Sequence, residues 1–132
     1  MSSVWEFLNS FHIFYRNPIN VVKFLPNGIL ASGDDEGEIK LWDLRMQASV
    51  LNYEEQSETI TDFAINSDQN LLLATSVDGT LGVYDLRKGD TSKEKLYALS
   101  DCLEEDLLSL IIIKNGRFVL CSSNEGFFIH FH

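Results

Sequence analysis

The sequence has few cysteines, few prolines and little positive charge. It contains two cysteines and two prolines in 132 residues, and 10 lysines and arginines against 20 aspartates and glutamates. Two cysteines are too few for the disulfide framework that stabilises many small secreted domains. A formal net charge of −10 repels nucleic-acid phosphates. The sequence therefore predicts a fold without structural disulfides and a surface that does not bind nucleic acid directly.

Long apolar segments and a secretory leader are also absent. No stretch reaches the ~18 consecutive apolar residues that predict a membrane-spanning helix. The N-terminus lacks the basic start and apolar core of a signal peptide. These features predict an intracellular protein that does not engage a membrane.

No residue arrangement typical of catalysis occurs. Gly-x-Ser-x-Gly, P-loop, His-Glu-x-x-His and Cys-x-x-Cys motifs are missing. Asp34-Asp35-Glu36 lacks the spacing of a calcium loop and is interpreted as a solvated hairpin turn. His130 and His132 supply only two metal ligands. We therefore predict that the protein is not an enzyme and has no catalytic residues, no cofactor and no metal site.

The sequence does contain an internal repeat. Ile29–Arg45 aligns with Leu71–Arg87, 42 residues further on, and Leu-Trp-Asp-Leu-Arg against Val-Tyr-Asp-Leu-Arg anchors the match. A weaker third copy near the C-terminus aligns Gly126 with Gly79. A period of about 42 residues is typical of propeller blades, each of which is a four-stranded antiparallel sheet.

Strand and turn signals recur within the copies. Apolar and polar residues alternate in Glu38–Trp42, as in a half-buried strand. Pro26-Asn27-Gly28 supplies one turn. Asp35-Glu36-Gly37 and Val77-Asp78-Gly79 supply hairpin turns in which glycine relieves a positive φ. The sequence therefore predicts an all-β fold.

The repeat divides the chain into a leader and about three four-stranded antiparallel blades, at residues 17–53, 57–99 and 105–132. Closed propellers have about four to eight blades, so we expect a partial β-propeller with uncovered terminal faces, a fragment or shortened form of a longer repeat protein. Residues 1–16 fit the repeat poorly. They are interpreted as an N-terminal leader, either an amphipathic helix or a strand beside the first blade.

An aromatic residue closes each copy, in Trp42-Asp43, Tyr84-Asp85 and Phe131-His132. With the repeat, these residues resemble the WD-repeat family of β-propellers, in which each unit runs toward a closing Trp-Asp. The resemblance implies that the recurring aromatic, glycine and turn-aspartate positions are structural. These positions are Trp42, Tyr84, Phe131, Gly37, Gly79, Gly126 and Asp78.

The chain departs from the family pattern in its polar residues. The family opens each unit with Gly-His, whose His joins the Trp and a turn Asp in a buried network, and that His is absent ahead of the first two copies. Glu36 and Glu125 stand where Asp78 matches the turn aspartate. We therefore predict an incomplete polar network in every blade, with apolar packing in its place.

Two turns carry the candidate partner-docking residues Asp43, Arg45, Asp85 and Arg87. Each Asp-Leu-Arg directly follows an aromatic residue. Trp-Asp-x-Arg resembles the motif by which WD-repeat proteins dock onto the adaptor of cullin-type ubiquitin ligases, and arginine offers a bidentate fork to a partner. The alternative is that each arginine pairs with its own aspartate or with an acid of a neighbouring blade. The full Trp-Asp-Leu-Arg favours partner contact for Arg45, and Tyr84 in place of tryptophan favours the structural role for Arg87.

The resemblance also implies a function. The segments around the turns are most similar to family members that act in the nucleus or nucleolus, in ribosomal-RNA processing and ribosome assembly. It implies a non-catalytic scaffold that binds other proteins, such as pre-ribosomal factors. The alternatives are a substrate receptor that binds the ubiquitin-ligase adaptor and, from another class, an enzyme that uses the central channel of a propeller.

Overall fold

The computed structural model describes residues 17–46, 48–88, 96–113 and 116–131. These residues form three antiparallel sheets, which we name blade 1, blade 2 and blade 3 in chain order. A single 3-10 turn at Pro26–Gly28 joins the first two strands. The prediction of an all-β fold is confirmed. The described part contains no helix long and apolar enough to cross a membrane.

The strands of each blade lie side by side in sequence order, so every sheet is a meander. Blades 1 and 2 have four strands each, and three strands of blade 3 are described. The strands are β1 (Ile19–Leu25), β2 (Ile29–Asp34), β3 (Ile39–Asp43), β4 (Ala48–Tyr53), β5 (Ile60–Ile65), β6 (Leu71–Ser76), β7 (Leu81–Asp85), β8 (Leu96–Leu99), β9 (Leu107–Ile113), β10 (Phe118–Ser123) and β11 (Gly126–Phe131).

The pairing registers assign side chains to the two faces of each sheet. In blade 1, Phe24 pairs with Leu30 and Leu30 pairs with Trp42, so these three side chains share one face. Ala31 pairs with Leu41, which places both on the opposite face. We call the face that bears Trp42 in blade 1, and the equivalent face of the other blades, the front face. The opposite face is the back face.

Blade 2 is covered on both faces. Its front face packs on the back face of blade 1, where the rings of Tyr53 and Tyr84 lie 4.5 Å apart between centroids. Its back face packs on the front face of blade 3, where Leu73 meets a cluster that includes Leu110 and Cys121. Two apolar cores, one on each side of blade 2, therefore hold the three blades together.

Each terminal blade carries exposed apolar side chains on the face that points away from blade 2. On the front face of blade 1, Val22 and Phe24 are each 57% exposed, although Trp42 beside them is buried. On the back face of blade 3, Ile111 is 53% exposed, while its neighbour Leu110 is buried against blade 2. The described residues form an open arc and not a closed ring, as predicted.

Two glycines hold the hairpins between the second and third strands of blades 1 and 2. Gly37 and Gly79 have φ angles of +89° and +85°, which residues with a side chain rarely adopt. A Cβ atom at Gly37 would collide with the carbonyl oxygen of Gln56, and one at Gly79 with that of Leu103. The segment that enters each following blade therefore packs directly on the hairpin of the preceding blade.

Candidate protein-interaction surface

Each Asp-Leu-Arg turn follows the third strand of its blade, and the two turns lie on the same side of the molecule. The backbone N–H of Leu44 donates to the carbonyl oxygen of Gly28 at 3.0 Å, and that of Leu86 donates to the carbonyl oxygen of Asn70 at 2.9 Å. Each turn is thus tied to the turn between the first two strands of its own blade. We call the surface formed by residues 26–28, 44–46, 66–70 and 86–88 the turn face.

Arg45 belongs to an open turn. Oδ1 of Asp43 accepts hydrogen bonds from the backbone N–H groups of Arg45, at 2.9 Å, and Met46, at 3.3 Å. Nε of Arg45 approaches the same oxygen only to 3.7 Å, and the arginine side chain is 72% exposed. The guanidinium of Arg45 is therefore largely accessible to solvent.

Arg87 belongs to a closed turn. Its Nε donates to Oδ1 of Asp85 at 3.0 Å, and its Nη2 donates to Oδ2 at 2.9 Å, in a bidentate pair. These hydrogen bonds from Arg87 hold the pKa of Asp85 below its ordinary value, and they raise the pKa of Arg87. The same three-residue sequence therefore gives a paired arginine in blade 2 and a loosely held one in blade 1.

A cavity of about 410 Å³ lies on the turn face, between blades 1 and 2. Most of the residues that line it have apolar side chains, but polar atoms also face the cavity, and Asp68 and Gln69 lie on the side of blade 2. Leu86 of the closed turn forms part of the wall. The turn face therefore combines an apolar groove with charged turns. The other apolar side chains of the groove include Leu25, Pro26, Ile29, Leu41 and Ile65.

A buried polar network occupies blade 2. The hydroxyl of Tyr84 donates to Oε1 of Gln56 at 2.7 Å, and Nε2 of Gln56 donates to the carbonyl and hydroxyl oxygens of Thr80 at 3.2 and 3.1 Å. Thr80 and Ser57 in turn donate to the carboxylate of Asp78. Burial alone would raise the pKa of Asp78, but these hydrogen bonds outweigh it and the pKa lies below its ordinary value.

The prediction of an incomplete polar network in every blade is therefore wrong for blade 2. Gln56 takes the part that the family pattern gives to histidine, because its amide can both accept from Tyr84 and donate to Thr80. The sequence indicates this role in one respect. Gln56 is a polar residue four positions ahead of β5, in the segment where the family pattern has a histidine.

Blade 1 makes different polar contacts at the equivalent positions. Nε1 of Trp42 donates to Oγ of Ser32 at 2.9 Å. Oδ1 of Asp34 accepts the backbone N–H groups of Glu36, at 2.9 Å, and Glu38, at 2.8 Å. Asp34 is fully buried, so the interpretation of Asp34-Asp35-Glu36 as a solvated turn is wrong for its first residue. Asp34 closes the hairpin in place of the turn aspartate.

The remaining predicted positions lie in blade 3. Gly126 begins β11 opposite Ser123, and Phe131 ends it opposite Phe118. The side chain of Phe131 lies outside the described residues.

The structure brings the two Asp-Leu-Arg turns to one surface, while the network around Asp78 lies at the other end of blade 2.

The remaining residues with reactive side chains are histidines and cysteines. Among the described residues, no group of three histidine, cysteine or acidic side chains is placed to hold a metal ion. The side chains of His130 and His132 lie outside the described residues. Cys121 is fully buried, and burial, with a smaller contribution from Asp62, raises the pKa of its thiol to about 11. Cys102 is exposed, and its thiol donates to the carbonyl oxygen of Asp78 at 2.8 Å.

Comparison with protein families identifies the repeat. The family described as "WD domain, G-beta repeat" matches residues 5–43 and 47–85. The first match includes residues 5–16 of the predicted leader, whose structure lies outside the described residues. The two matches together span more than half of the chain.

Curated relatives carry the same repeat. The chain is 38% identical over 109 residues to WD repeat-containing protein 55 of Bos taurus, and 42% identical over 108 residues to WD repeat-containing protein JIP5 of Coprinopsis cinerea. The alignments cover 83% and 82% of this chain but only 27% and 26% of those proteins. The chain therefore spans about a quarter of the length of these relatives.

Solved structures share the fold. The β-propeller domain of Myceliophteria thermophila Cps50 (Swd1) superposes with a TM-score of 0.74 at 16% identity, over 89% of this chain and 40% of that one. The computationally designed protein Ika4 gives a TM-score of 0.73 at 20% identity, over 89% of this chain and 68% of that one. The predicted partial β-propeller and its resemblance to WD repeats are confirmed.

Proposed function

The chain belongs to the WD-repeat family, and we propose that it is a non-catalytic scaffold that binds other proteins through its turn face. The observation that carries this proposal is the open turn of blade 1. Arg45 is 72% exposed and its Nε lies 3.7 Å from Asp43, so its donors can reach a partner carboxylate or carbonyl. The apolar groove on the same face supplies the desolvated contact that interfaces need beside a charged anchor.

We propose further that the scaffold acts in ribosomal-RNA processing and ribosome assembly, in the nucleus or nucleolus, with pre-ribosomal proteins as partners. The support is the similarity to WD repeat-containing protein 55 and JIP5. The net charge of −10 supports recruitment by proteins and not by RNA phosphates.

The second candidate is a substrate receptor for a cullin-type ubiquitin ligase. It is favoured by the open Trp-Asp-Leu-Arg turn of blade 1, because Arg45 can extend toward an adaptor while Arg87 is held by Asp85. In this case Asp43 and Asp85 position the two turns, and Arg45 makes the contact.

Affinity purification from cells with a pair of matched variants tests the proposal. Arg45→Ala should reduce the recovered partner by about tenfold or more, since an interface arginine contributes ~2 kcal/mol. Arg87→Ala, the control in the equivalent turn, should change recovery by less than about threefold, because its guanidinium already pairs within the chain. Pre-ribosomal proteins in the eluate support the first role, and a ligase adaptor supports the second. Recovery of the partner by Arg45→Ala at the level of the unmutated chain would rule out docking through Arg45.

A further inference from the structure

The groove between blades 1 and 2 is lined by apolar side chains that differ in burial. Leu25 and Leu41 are buried. The cavity volume of about 410 Å³ lies within the range of about 300–1,000 Å³ that is typical of ligand sites. A bulky apolar side chain of a partner can therefore enter the groove and displace water from the lining side chains that are only partly buried. These are Ile29, Val50, Leu51, Ile65 and Leu86.

The rim of the groove carries a carboxylate on the side of blade 2. Asp68 lines the cavity and is exposed, and none of the ion pairs between described residues involves it. A carboxylate beside an apolar groove favours a partner with positive charge, and the net charge of −10 attracts such a partner from a longer distance. The groove is therefore complementary to an apolar side chain that has a basic side chain next to it.

The loop that carries Asp68 is held by its own hydrogen bonds. Oδ1 of Asn66 accepts the backbone N–H groups of Asn70, at 3.0 Å, and Leu71, at 2.9 Å. Nδ2 of Asn66 donates to Oδ1 of Asn70 at 2.7 Å. Within this loop Gln69, which also lines the cavity, has a φ of +60°, which residues with a side chain rarely adopt. Because the loop is fixed in this form, a partner would have to order little of the rim on binding.

The carboxylate belongs to blade 2 and not to the repeat. The first two strands pair in the same antiparallel way in blades 1 and 2. The turn that joins them spans residues 26–28 in blade 1 and residues 66–70 in blade 2. Pro26-Asn27-Gly28 contains no charged residue. A blade therefore forms without an acid at this turn, and the role of Asp68 lies outside the formation of the sheet.

We propose that the groove binds a short segment of a partner protein in which a bulky apolar residue lies next to a lysine or arginine. The apolar side chain occupies the groove, and the basic side chain pairs with Asp68. The proposal rests on the proposed use of the turn face and adds the chemistry of the partner. This contact is separate from that of Arg45, whose donors take a carboxylate or carbonyl oxygen.

Random peptides displayed on phage and selected on the 132-residue chain give the first test. Peptides that also bind Val50→Trp are discarded, because Val50 lines the cavity and a tryptophan there fills part of it. Circular dichroism verifies that this variant keeps the fold. The remaining peptides should share a large apolar residue with a lysine or arginine at a neighbouring position. A selection that leaves no peptide, or peptides without this pattern, would overturn the proposal.

Fluorescence polarisation with a selected synthetic peptide measures the contribution of Asp68. Asp68→Lys should weaken binding by about tenfold or more, because it places like charges together. Glu104→Lys is the control with the same change in net charge. Glu104 is exposed and follows Leu103, whose backbone N–H donates to the carbonyl oxygen of Gly79 at the other end of blade 2. It should weaken binding by less than about threefold, since salt screens charges at this distance. Equal losses would show attraction by net charge alone and would overturn the pairing with Asp68.

Exchanging the charges tests the pair itself. A peptide with glutamate in place of its basic residue should bind the unmutated chain weakly and should bind Asp68→Lys more tightly. Failure of this exchange would contradict a direct contact with Asp68. In light scattering, a two-chain mass that falls to one chain with Asp68→Lys would assign the groove to a second copy of this chain and would also overturn the proposal.

Affinity purification with Asp68→Lys beside Arg45→Ala separates this inference from the proposed function. Loss of the partner with Arg45→Ala, but not with Asp68→Lys, would overturn the groove contact and leave docking through Arg45 in place. Loss of the partner with Asp68→Lys, but not with Arg45→Ala, would support the groove contact and remove Arg45 from the docking surface.

Discussion

Blades 1 and 2 carry the same repeat but differ in what surrounds them. Blade 2 has an apolar core on each face, whereas among the described residues the front face of blade 1 has the small cluster of Leu30, Trp42 and Leu44. Equivalent positions therefore differ in burial, as Phe63 at 3% exposure and Val22 at 57% exposure show. The comparison teaches that the repeat sets the strands, while the neighbouring blades set how much each strand is buried.

The two blades also differ in how they satisfy the hydrogen-bonding group of the closing aromatic residue. Trp42 needs one acceptor for its ring N–H and finds it in Ser32. Tyr84 has a hydroxyl that is deeply buried, and it relies on Gln56 and through it on Thr80. Because a buried polar group without a partner is costly, the hydroxyl of Tyr84 makes blade 2 depend on Gln56 and Thr80.

Replacing the closing aromatic residue of a blade with alanine should have the largest effect on the free energy of unfolding. The size of this effect should differ between blades 1 and 2. Tyr84→Ala is expected to cost about 4–5 kcal/mol of unfolding free energy and Trp42→Ala about 3 kcal/mol. Among the described residues, Tyr84 is packed by side chains of two blades, whereas Trp42 is packed by side chains of its own blade. Urea titrations at one fixed chain concentration measure both values. A cost for Trp42→Ala equal to or above that for Tyr84→Ala would reverse the comparison.

The next effect concerns the hairpin on which the following blade packs. Gly37→Ala is expected to cost about 3 kcal/mol, because it adds a collision with the backbone of Gln56 to the strain of a positive φ. Gly28→Ala is the matched control. Its φ is +75° but nothing lies within 4 Å of the added Cβ, so only about 1 kcal/mol is expected. Equal costs in thermal unfolding would mean that the linker does not pack on the hairpin.

The polar network of blade 2 gives a smaller effect. Gln56→Leu should cost about 2 kcal/mol, since it leaves the buried hydroxyl of Tyr84 without an acceptor. Ser32→Ala in blade 1 should cost about 1 kcal/mol, because only one hydrogen bond is lost. Denaturant titration of both variants measures the two losses of unfolding free energy. A neutral Gln56→Leu would show that the network adds nothing to stability.

The strands were predictable from the sequence because their signals are local. Alternation in Glu38–Trp42 and the glycine at Gly37 act through neighbouring residues. The role of Gln56 was missed because it depends on a contact with Tyr84, 28 residues away, and on the path of the linker between blades. The apolar groove was missed for a similar reason, since it forms only where two blades meet.

The sequence favours Arg45 over Arg87 for partner contact, but it does not give the geometry of either turn. Asp43-Leu44-Arg45 and Asp85-Leu86-Arg87 are the same three residue types, yet only the second forms a bidentate pair. Which of them closes depends on side-chain rotamers on a solvent-exposed turn. The sequence alone therefore leaves both pairing within the turn and docking to a partner open for each arginine.

The smallest predicted effect is a dependence on pH. Hydrogen bonds from Ser57 and Thr80 outweigh burial and hold the pKa of Asp78 below its ordinary value of 3.8. The unfolded chain therefore takes up this proton first as the pH falls. The stability from Asp78 is present above pH 3.8 and is lost as the pH falls through the folded pKa. Asp78→Asn should flatten the acid loss in urea midpoints measured downward from neutral pH. An unchanged slope would contradict this role.

Residue-resolved amide hydrogen exchange tests the difference between the blades most directly. The measurement uses the unmutated chain, in which β2 and β6 are equivalent strands of blades 1 and 2. Exchange from the best-protected amides follows the free energy of the opening that exposes them. The account predicts that the amides of β6 exchange more slowly than those of β2, because both faces of blade 2 are covered. Equal protection in the two strands, or slower exchange in β2, would contradict it.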